Sequence, residues 1–409
     1  MELLYRHCAG LDVHKETVVA CVRHAGSGPA RQEVVTFGTT TSELLALGDY
    51  LASEGVTHVA MESTGVYWQP VWNILEGNFT LLLANAAHIK SVPGRKTDVK
   101  DCQWIAELLA HGLIKGSFVP GSDQRELRDL TRLRMTLVQE KSRVANRIEK
   151  VLEQANIKLA SVASDVFGAS GRDMLRALIS GETDAAAMAD LARRRLRNKM
   201  PELQEALTGR VTEHHRFMLG FLLEQFEAAE ARIAAIESRI ESVLSPFQKQ
   251  IVERLDTIPG FDKTAAVSLI AEIGTDMKQF GTAKRLSAWA GMAPGNHQSG
   301  GKRKKSRCPD GNRWIRSLLT QTGWAASHTK ATYFTSQYRR LVKRRGRKRA
   351  ALALGHSQLV IAFHLIDGGG VYEDLGPDHF DKLQDRRQTQ HLVQRLNRMG
   401  YQVTLSPAA

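Results

Sequence analysis

Five short runs rich in β-forming residues fill the first 84 positions: Cys8 to Leu11, Thr17 to Val22, Glu33 to Phe37, Thr57 to Met61 and Thr80 to Ala84. The first two flank the polar turn His14-Lys15-Glu16 and predict a hairpin. Between the third and fourth, Ser42 to Ser53 has helical spacing with Thr41 or Ser42 as N-cap, and Tyr67 to Leu75 is a second amphipathic run before the fifth. Strands alternating with helices predict a mixed α/β domain, with loops carrying distant residues to one edge of the sheet. Asp12 closes the first predicted strand hairpin arm, and Glu62 closes the fourth strand ahead of the turn Ser63-Thr64-Gly65.

A third acidic feature follows. The stretch Lys96-Thr97-Asp98-Val99-Lys100-Asp101 opens the helix-like run Cys102 to Leu109. Asp98 and Asp101 are three residues apart and share a helix face, where two carboxylates repel unless a proton or a divalent cation lies between them. Asp12, Glu62, Asp98 and Asp101 are thus expected to converge. An all-oxygen set suits Mg²⁺ or Mn²⁺, and paired ions of that kind serve phosphodiester chemistry. Each acid alone has a plainer reading as a cap or surface charge, Asp98 capping the helix at Val99. Their order is the one a ribonuclease-H-like fold requires.

The character changes beyond residue 120. Leu127, Leu130, Leu133, Leu137, Val144, Ile148, Val151 and Ala155 predict a long amphipathic helix over 123–158. Leu222, Phe226, Ala229, Ile233, Ile236, Ile240 and Val243 alternate steps of four and three, a heptad that fits either a helical hairpin or a coil between two chains. Residues 159–212 predict small helices without chemistry, and Arg193 to Lys199 is a solvated basic face or a phosphate contact. Pro246 is expected to end the second long helix.

The stretch from Leu255 to Ala266, with Gly260 in the turn and Lys263 after it, resembles a helix-hairpin-helix element. There, backbone amides and a helix N-terminus approach a phosphate; an ordinary packing turn explains the same residues. Gln279 to Met292 is expected to be helical. The polar segment 293–307 then holds Ser299 before Gly300 and Gly301, beside Lys302, Arg303, Lys304 and Lys305, a combination suited to close phosphate approach. A helix over Arg313 to Ala326 presents Arg313 and Arg316 along one side, Arg339 to Arg349 is a basic run, and Leu352 to Leu365 is an apolar helix. The tail after Gly368 is mixed in composition.

The net charge of +13 and pI near 9.7 select a polyanionic partner, nucleic acid first among them. Cys8, Cys21, Cys102 and Cys308 have neither zinc-knuckle nor disulfide-framework spacing, which fits a reducing cytoplasm. No signal-like start and no apolar run long enough for a bilayer are evident, so no membrane partner is expected.

Gly-Leu-Asp12-Val-His-Lys, Met-Glu62-Ser-Thr-Gly and Lys-Thr-Asp98-Val-Lys-Asp101, followed by Ile258-Pro-Gly260 and Gln298-Ser299-Gly-Gly-Lys302, together resemble the DEDD-type transposases of the insertion sequence one-ten family, which includes pilin-gene invertases. The resemblance covers roughly residues 8–330. It implies a multidomain α/β plus α architecture. In it, an N-terminal RNase H-like (RuvC-like) domain over 1–120 is followed by long antiparallel coiled-coil helices over 121–250 with the insert 159–212. A mainly helical transposase domain with the helix-hairpin-helix-like element then spans 251–366, and a tail spans 367–409.

By matching position, Asp12, Glu62, Asp98 and Asp101 would bind Mg²⁺ or Mn²⁺, and Ser299 would be the nucleophile forming a phosphoserine link to DNA. Gly260, Lys263, Lys302, Arg303, Lys304, Lys305, Arg313 and Arg316 would contact nucleic acid. Donor and target DNA, a structured guide RNA (the bridge RNA), a dimeric or tetrameric assembly and a cytoplasmic, nucleoid-associated setting in a bacterium are further implications. The insert and the basic tail after residue 330 have no counterpart in the compact members. A Holliday-junction-type metal nuclease, with Ser299 only touching phosphate, is the competing enzyme reading, and a non-catalytic nucleic-acid binder is the third.

Overall fold

The computed structural model describes residues 3–25, 30–63, 65–86, 89, 101–295, 298–299, 302–303, 308 and 311–404. The chain divides into two compact units, Met1–Pro120 and Gly121–Ala409.

In the first unit the predicted runs become β1 (His7–Val13), β2 (Thr17–His24), β3 (Arg31–Gly38), β4 (His58–Glu62) and β5 (Thr80–Ala84). They form one five-stranded sheet in the order β3-β2-β1-β4-β5. β1, β2 and β3 pair antiparallel, whereas β1, β4 and β5 run parallel. Parallel neighbours need crossovers, supplied here by α1 (Thr41–Ser53) and α2 (Trp68–Leu75). Thr40, rather than Thr41 or Ser42, caps α1, its side chain accepting from the Glu43 amide.

The strand period of two divides the core between the sheet's faces. Ala9, Leu11, Val13, Val59 and Met61 pack with Leu44, Leu47, Val71 and Leu75 of α1 and α2. Cys8 and Ala60 point the other way, toward Ile105, Leu108 and Leu109 of α3 (Asp101–Ala110). Gly10 belongs to that second face, where β1 and α3 touch backbone to backbone: a Cβ on Gly10 would stand 2.3 Å from the Cys102 carbonyl oxygen and 2.4 Å from the Ala106 nitrogen.

The second unit is almost wholly helical. Its frame is α4 (Ser122–Gln154) and, after the helical insert, α9 (Glu213–Val243). Arg134 Nη2 meets Glu237 Oε1 at 2.6 Å, and Lys141 Nζ meets Glu230 Oε1 at 3.3 Å. A seven-residue advance on one helix is a seven-residue retreat on the other, so the heptads close an antiparallel hairpin within one chain. The insert packs its own helices, α5 (Leu159–Val162), α6 (Ala169–Ser180), α7 (Ala185–Asp190) and α8 (Met200–Leu207), around the distal end of this hairpin: Met174, Leu178, Met188 and Leu203 join Ile148, Leu152 and Phe226 in one core.

Pro246 does more than close the second long helix. Ser245 caps a new one, α10 (Pro246–Asp256), with the proline in its first turn, where the missing amide costs nothing. The turn at Pro259-Gly260 then leads into α11 (Lys263–Ile273), capped by Asp262. The helix expected over Gln279–Met292 is only α12 (Ala283–Trp289), because Gly281 adopts φ +70° and interrupts the run. After β6 (Gln298–Ser299) and β7 (Lys302–Arg303) come α13 (Arg313–Ala326), α14 (Tyr333–Arg345), α15 (Arg347–Gly368) and α16 (His379–Arg398).

The tail after Gly368, mixed in composition, carries a helix of 20 residues. By length and composition alone, α15 is long and apolar enough to cross a membrane, contrary to the expectation that no such run exists. More than half of that stretch is buried in the unit, and its fully buried Gln358 accepts from Thr322 and donates to the Pro259 carbonyl, as in a core helix.

Candidate active site

Parallel pairing matches Leu11 with Met61, so the next residues, Asp12 and Glu62, stand at the same level at the C-terminal ends of adjacent parallel strands. By alternation each shares a face with the residue two before it, Gly10 and Ala60, and that face is covered by α3. Asp101 is the first residue of α3, the helix fastened to β1 through Gly10. Asp12 and Glu62 thus share one face and one edge of the sheet, the edge at which open α/β sheets bind ligands, and Asp101 begins the helix that covers that face. Asp98 lies outside the described residues.

Asp12 is half-buried, and its Oδ2 is 3.2 Å from Nε2 of the exposed His14. Glu62 is also half-buried, while Asp101 is exposed at the helix start. The donors are all carboxylates, the ligand chemistry of a hard divalent cation. Among the described residues, no three His, Cys, Asp or Glu side chains are gathered closely enough to hold a metal ion.

Ser299 occupies β6 and pairs with Lys302 of β7, while Gln298 pairs with Arg303. Only Gly300 and Gly301 separate the strands in sequence, which is hairpin spacing. The side chains of Ser299, Lys302 and Arg303 are outside the described set, as are Lys304 and Lys305 altogether.

The remaining expected nucleic-acid contacts divide. Lys263 is exposed at the start of α11, where a phosphate could be met by charge and helix amides together. Arg313 is exposed and its guanidinium lies 4.9 Å from the Trp314 ring centre. Arg316 is half-buried and donates to the Gly291 carbonyl at 3.0 Å. Gly260 has φ +87°, and a Cβ there would stand 2.3 Å from the Thr322 carbonyl oxygen of α13, so tight internal packing already requires glycine at this position.

Sequence reasoning passed over Glu272. It is 3% exposed on α11, and Arg132 of α4 holds it at 2.7 and 2.9 Å through Nε and Nη2. Asn312 Nδ2 donates to its Oε2 at 2.6 Å. The signal was a single acid in the apolar run Ala265-Ala266-Val267-Ser268-Leu269-Ile270-Ala271-Glu272-Ile273, since a charge in such a run is buried only with partners.

A DEDD-type IS110 family model described as "Transposase" matches residues 9–157, and one described as "Transposase IS116/IS110/IS902 family" matches 252–339. The chain is 25% identical over 297 residues to the "Transposase for insertion sequence element IS1111A" of Coxiella burnetii, covering 71% of this chain and 72% of that protein. It is 23% identical over 323 residues to a "Probable family 20 transposase" of Pseudomonas aeruginosa, covering 77% and 85%. To the "Insertion element IS110 uncharacterized 43.6 kDa protein" of Streptomyces coelicolor it is 25% identical over 307 residues, covering 70% and 74%.

Proposed function

The chain belongs to the IS110 family of DEDD transposases, enzymes that act on DNA, and from that premise we propose that it recombines insertion-sequence ends through a covalent phosphoserine intermediate. Asp12, Glu62, Asp98 and Asp101 hold divalent cations, Mg²⁺ or Mn²⁺, and Ser299 is the nucleophile. The family as a whole points to divalent metal. When bound, such ions supply charge neutralisation at the phosphate and lower the pKa of the attacking hydroxyl.

The Ser299 oxygen forms a bond to phosphorus while the bond from phosphorus to the DNA 3′ oxygen breaks, and that oxygen leaves as a hydroxyl carrying the proton. The ester energy is conserved in the protein link, so a 3′-hydroxyl of another strand reverses the step without an external energy source. Lys302, Arg303, Lys304 and Lys305 supply phosphate-binding charge beside Ser299, while Lys263 and Arg313 extend it. A structured RNA selects donor and target by base pairing, and the working assembly is a dimer or tetramer. Residues 1–120 act as a RuvC-like domain, with 121–250 as coiled coil and 251–366 as transposase domain.

The observation that carries this reading is the placement of Asp12 and Glu62 at one level on adjacent parallel strands, on the face covered by the helix that Asp101 begins. The sheet order β3-β2-β1-β4-β5 supports it by setting the parallel strands β1 and β4 side by side, so that their terminal acids meet at one edge. The test is a denaturing gel of full-length protein with Mg²⁺, the RNA that copurifies from its native host, and end-labelled element-junction DNA. A labelled band at protein mass is expected, absent from Ser299→Ala and from Asp98→Ala. Free nicked DNA that persists in Ser299→Ala would replace this reading with the metal-nuclease one.

A further inference from the structure

Gly291 and Gly311 bracket in sequence the stretch that carries Ser299, and they meet in the helical unit. A Cβ on Gly311 would stand 2.4 Å from the Gly291 nitrogen and 2.6 Å from the Gly291 Cα, so the two ends of the segment are in direct backbone contact. Arg316 fastens the departing end through the Gly291 carbonyl. The returning end is fastened by Asn312, whose side chain works in two directions. Its Oδ1 accepts from the Trp314 and Ile315 amides at 2.9 and 3.2 Å and caps α13, while its Nδ2 donates to Glu272.

Glu272, on α11, is in turn held by α4. Arg132 grips both of its oxygens, Arg128 Nε lies 3.5 Å from Oε2, and Arg128 also donates to the Ala271 and Glu272 carbonyls at 3.2 and 2.7 Å. Arg128 and Arg132 are one turn apart on the long helix. One buried carboxylate therefore joins the coiled-coil hairpin, α11 and the residue that caps α13, just after the serine segment in sequence.

Neither capping nor ion pairing explains the choice of Asn312. Asp would cap a helix as well as Asn does, and two arginines already compensate Glu272. Asp at 312, however, would set a second carboxylate against Glu272, whereas the Asn amide offers that carboxylate a donor. We infer that Glu272 and Asn312 are positioning residues that fix the two chain points, Gly291 and Asn312, between which β6 and β7 lie in sequence and, on the reading of Ser299 as nucleophile, thereby govern the place from which its hydroxyl attacks. A displacement of about 1 Å at a reacting group costs on the order of 100-fold in rate, so a distant network can set the rate without touching DNA.

The test uses the full chain and two readouts, adduct formation on the labelled junction DNA and backbone amide exchange over residues 298–303. Asn312→Asp, which keeps the cap, is expected to slow adduct formation about 10- to 100-fold and to raise exchange across the paired hairpin, with DNA retention unchanged. Adding Glu272→Gln reverses the donor and acceptor, moves the single negative charge to residue 312 and gives up the Arg132 Nη2 bond, so both readouts should recover to within about fivefold rather than fully. A role in stability alone would leave adduct formation by folded Asn312→Asp protein at the wild-type rate. The inference is overturned if Asn312→Asp exchanges like wild type over 298–303, or if the swapped pair melts like wild type and recovers neither readout. If Ser299→Ala still forms the adduct, the nucleophile assignment falls instead, and the exchange measurement decides the positioning role on its own.

Discussion

Gly10 shows how a single residue places the acidic site. The face of β1 that carries Asp12 lies backbone against backbone with α3, the helix Asp101 begins, and the 2.3 Å and 2.4 Å approaches at Gly10 leave no room for a methyl group. Both opposing atoms are main chain, so relief requires α3 to move rather than a rotamer to change. Gly10→Ala is expected to destabilise residues 1–120 by about 2 to 3 kcal/mol and to lower DNA cleavage further than the stability loss explains; urea unfolding and cleavage rates on the same preparation check this. In the sequence this glycine reads only as one residue of a strand end, because its partner is 92 to 96 positions away at Cys102 and Ala106. Gly260 drew attention through its turn, yet the atoms crowding it belong to α13, again a contact that no local pattern contains.

Among the elements, those with a strong period were legible and those defined by a partner were not. The alternating strands of residues 8–84 and the apolar stripes of α4 and α9 follow from side-chain spacing. The heptad of α9 left the partner open, and the pairs Arg134–Glu237 and Lys141–Glu230 settle it as α4 of the same chain. That pairing is testable. Arg134→Glu should cost about 0.5 kcal/mol, recovered by adding Glu237→Arg, whereas Ile148→Ala in the fully buried seam should cost about 2 to 5 kcal/mol; thermal melts of the three variants rank them. The helix α10 escaped notice because a proline ends one helix and starts the next with equal ease. The Glu272 network escaped because Arg132, Glu272 and Asn312 belong to three different helical regions and form no motif.

At the scale of the whole molecule, its two units differ in how they meet alkaline pH, and the difference follows from where the cysteines are. Three lie in residues 1–120, and Cys8, Cys21 and Cys102 are all fully buried. Burial pushes the Cys8 thiol up from 9.0 to about 11. The Cys21 thiol is raised too, first by its hydrogen bond to Cys102 and then by burial. A thiol raised in the folded state stays neutral there while its unfolded counterpart ionises. Its stabilising contribution is therefore complete below the unfolded pKa near 9 and is lost as pH climbs toward the folded value. At pH 10 the loss is about 1 kcal/mol for each such thiol. Between pH 7.5 and 10 the transition assigned to residues 1–120 should fall by about 2 kcal/mol on this account, followed by urea melts with amide exchange reporting each unit separately. Cys8→Ala should remove about half of that pH dependence, because an alanine has no proton to lose. If the variant retains the full slope, the alkaline sensitivity comes from some other group, and the buried thiols facing α3 do not govern the stability of the sheet that carries Asp12 and Glu62.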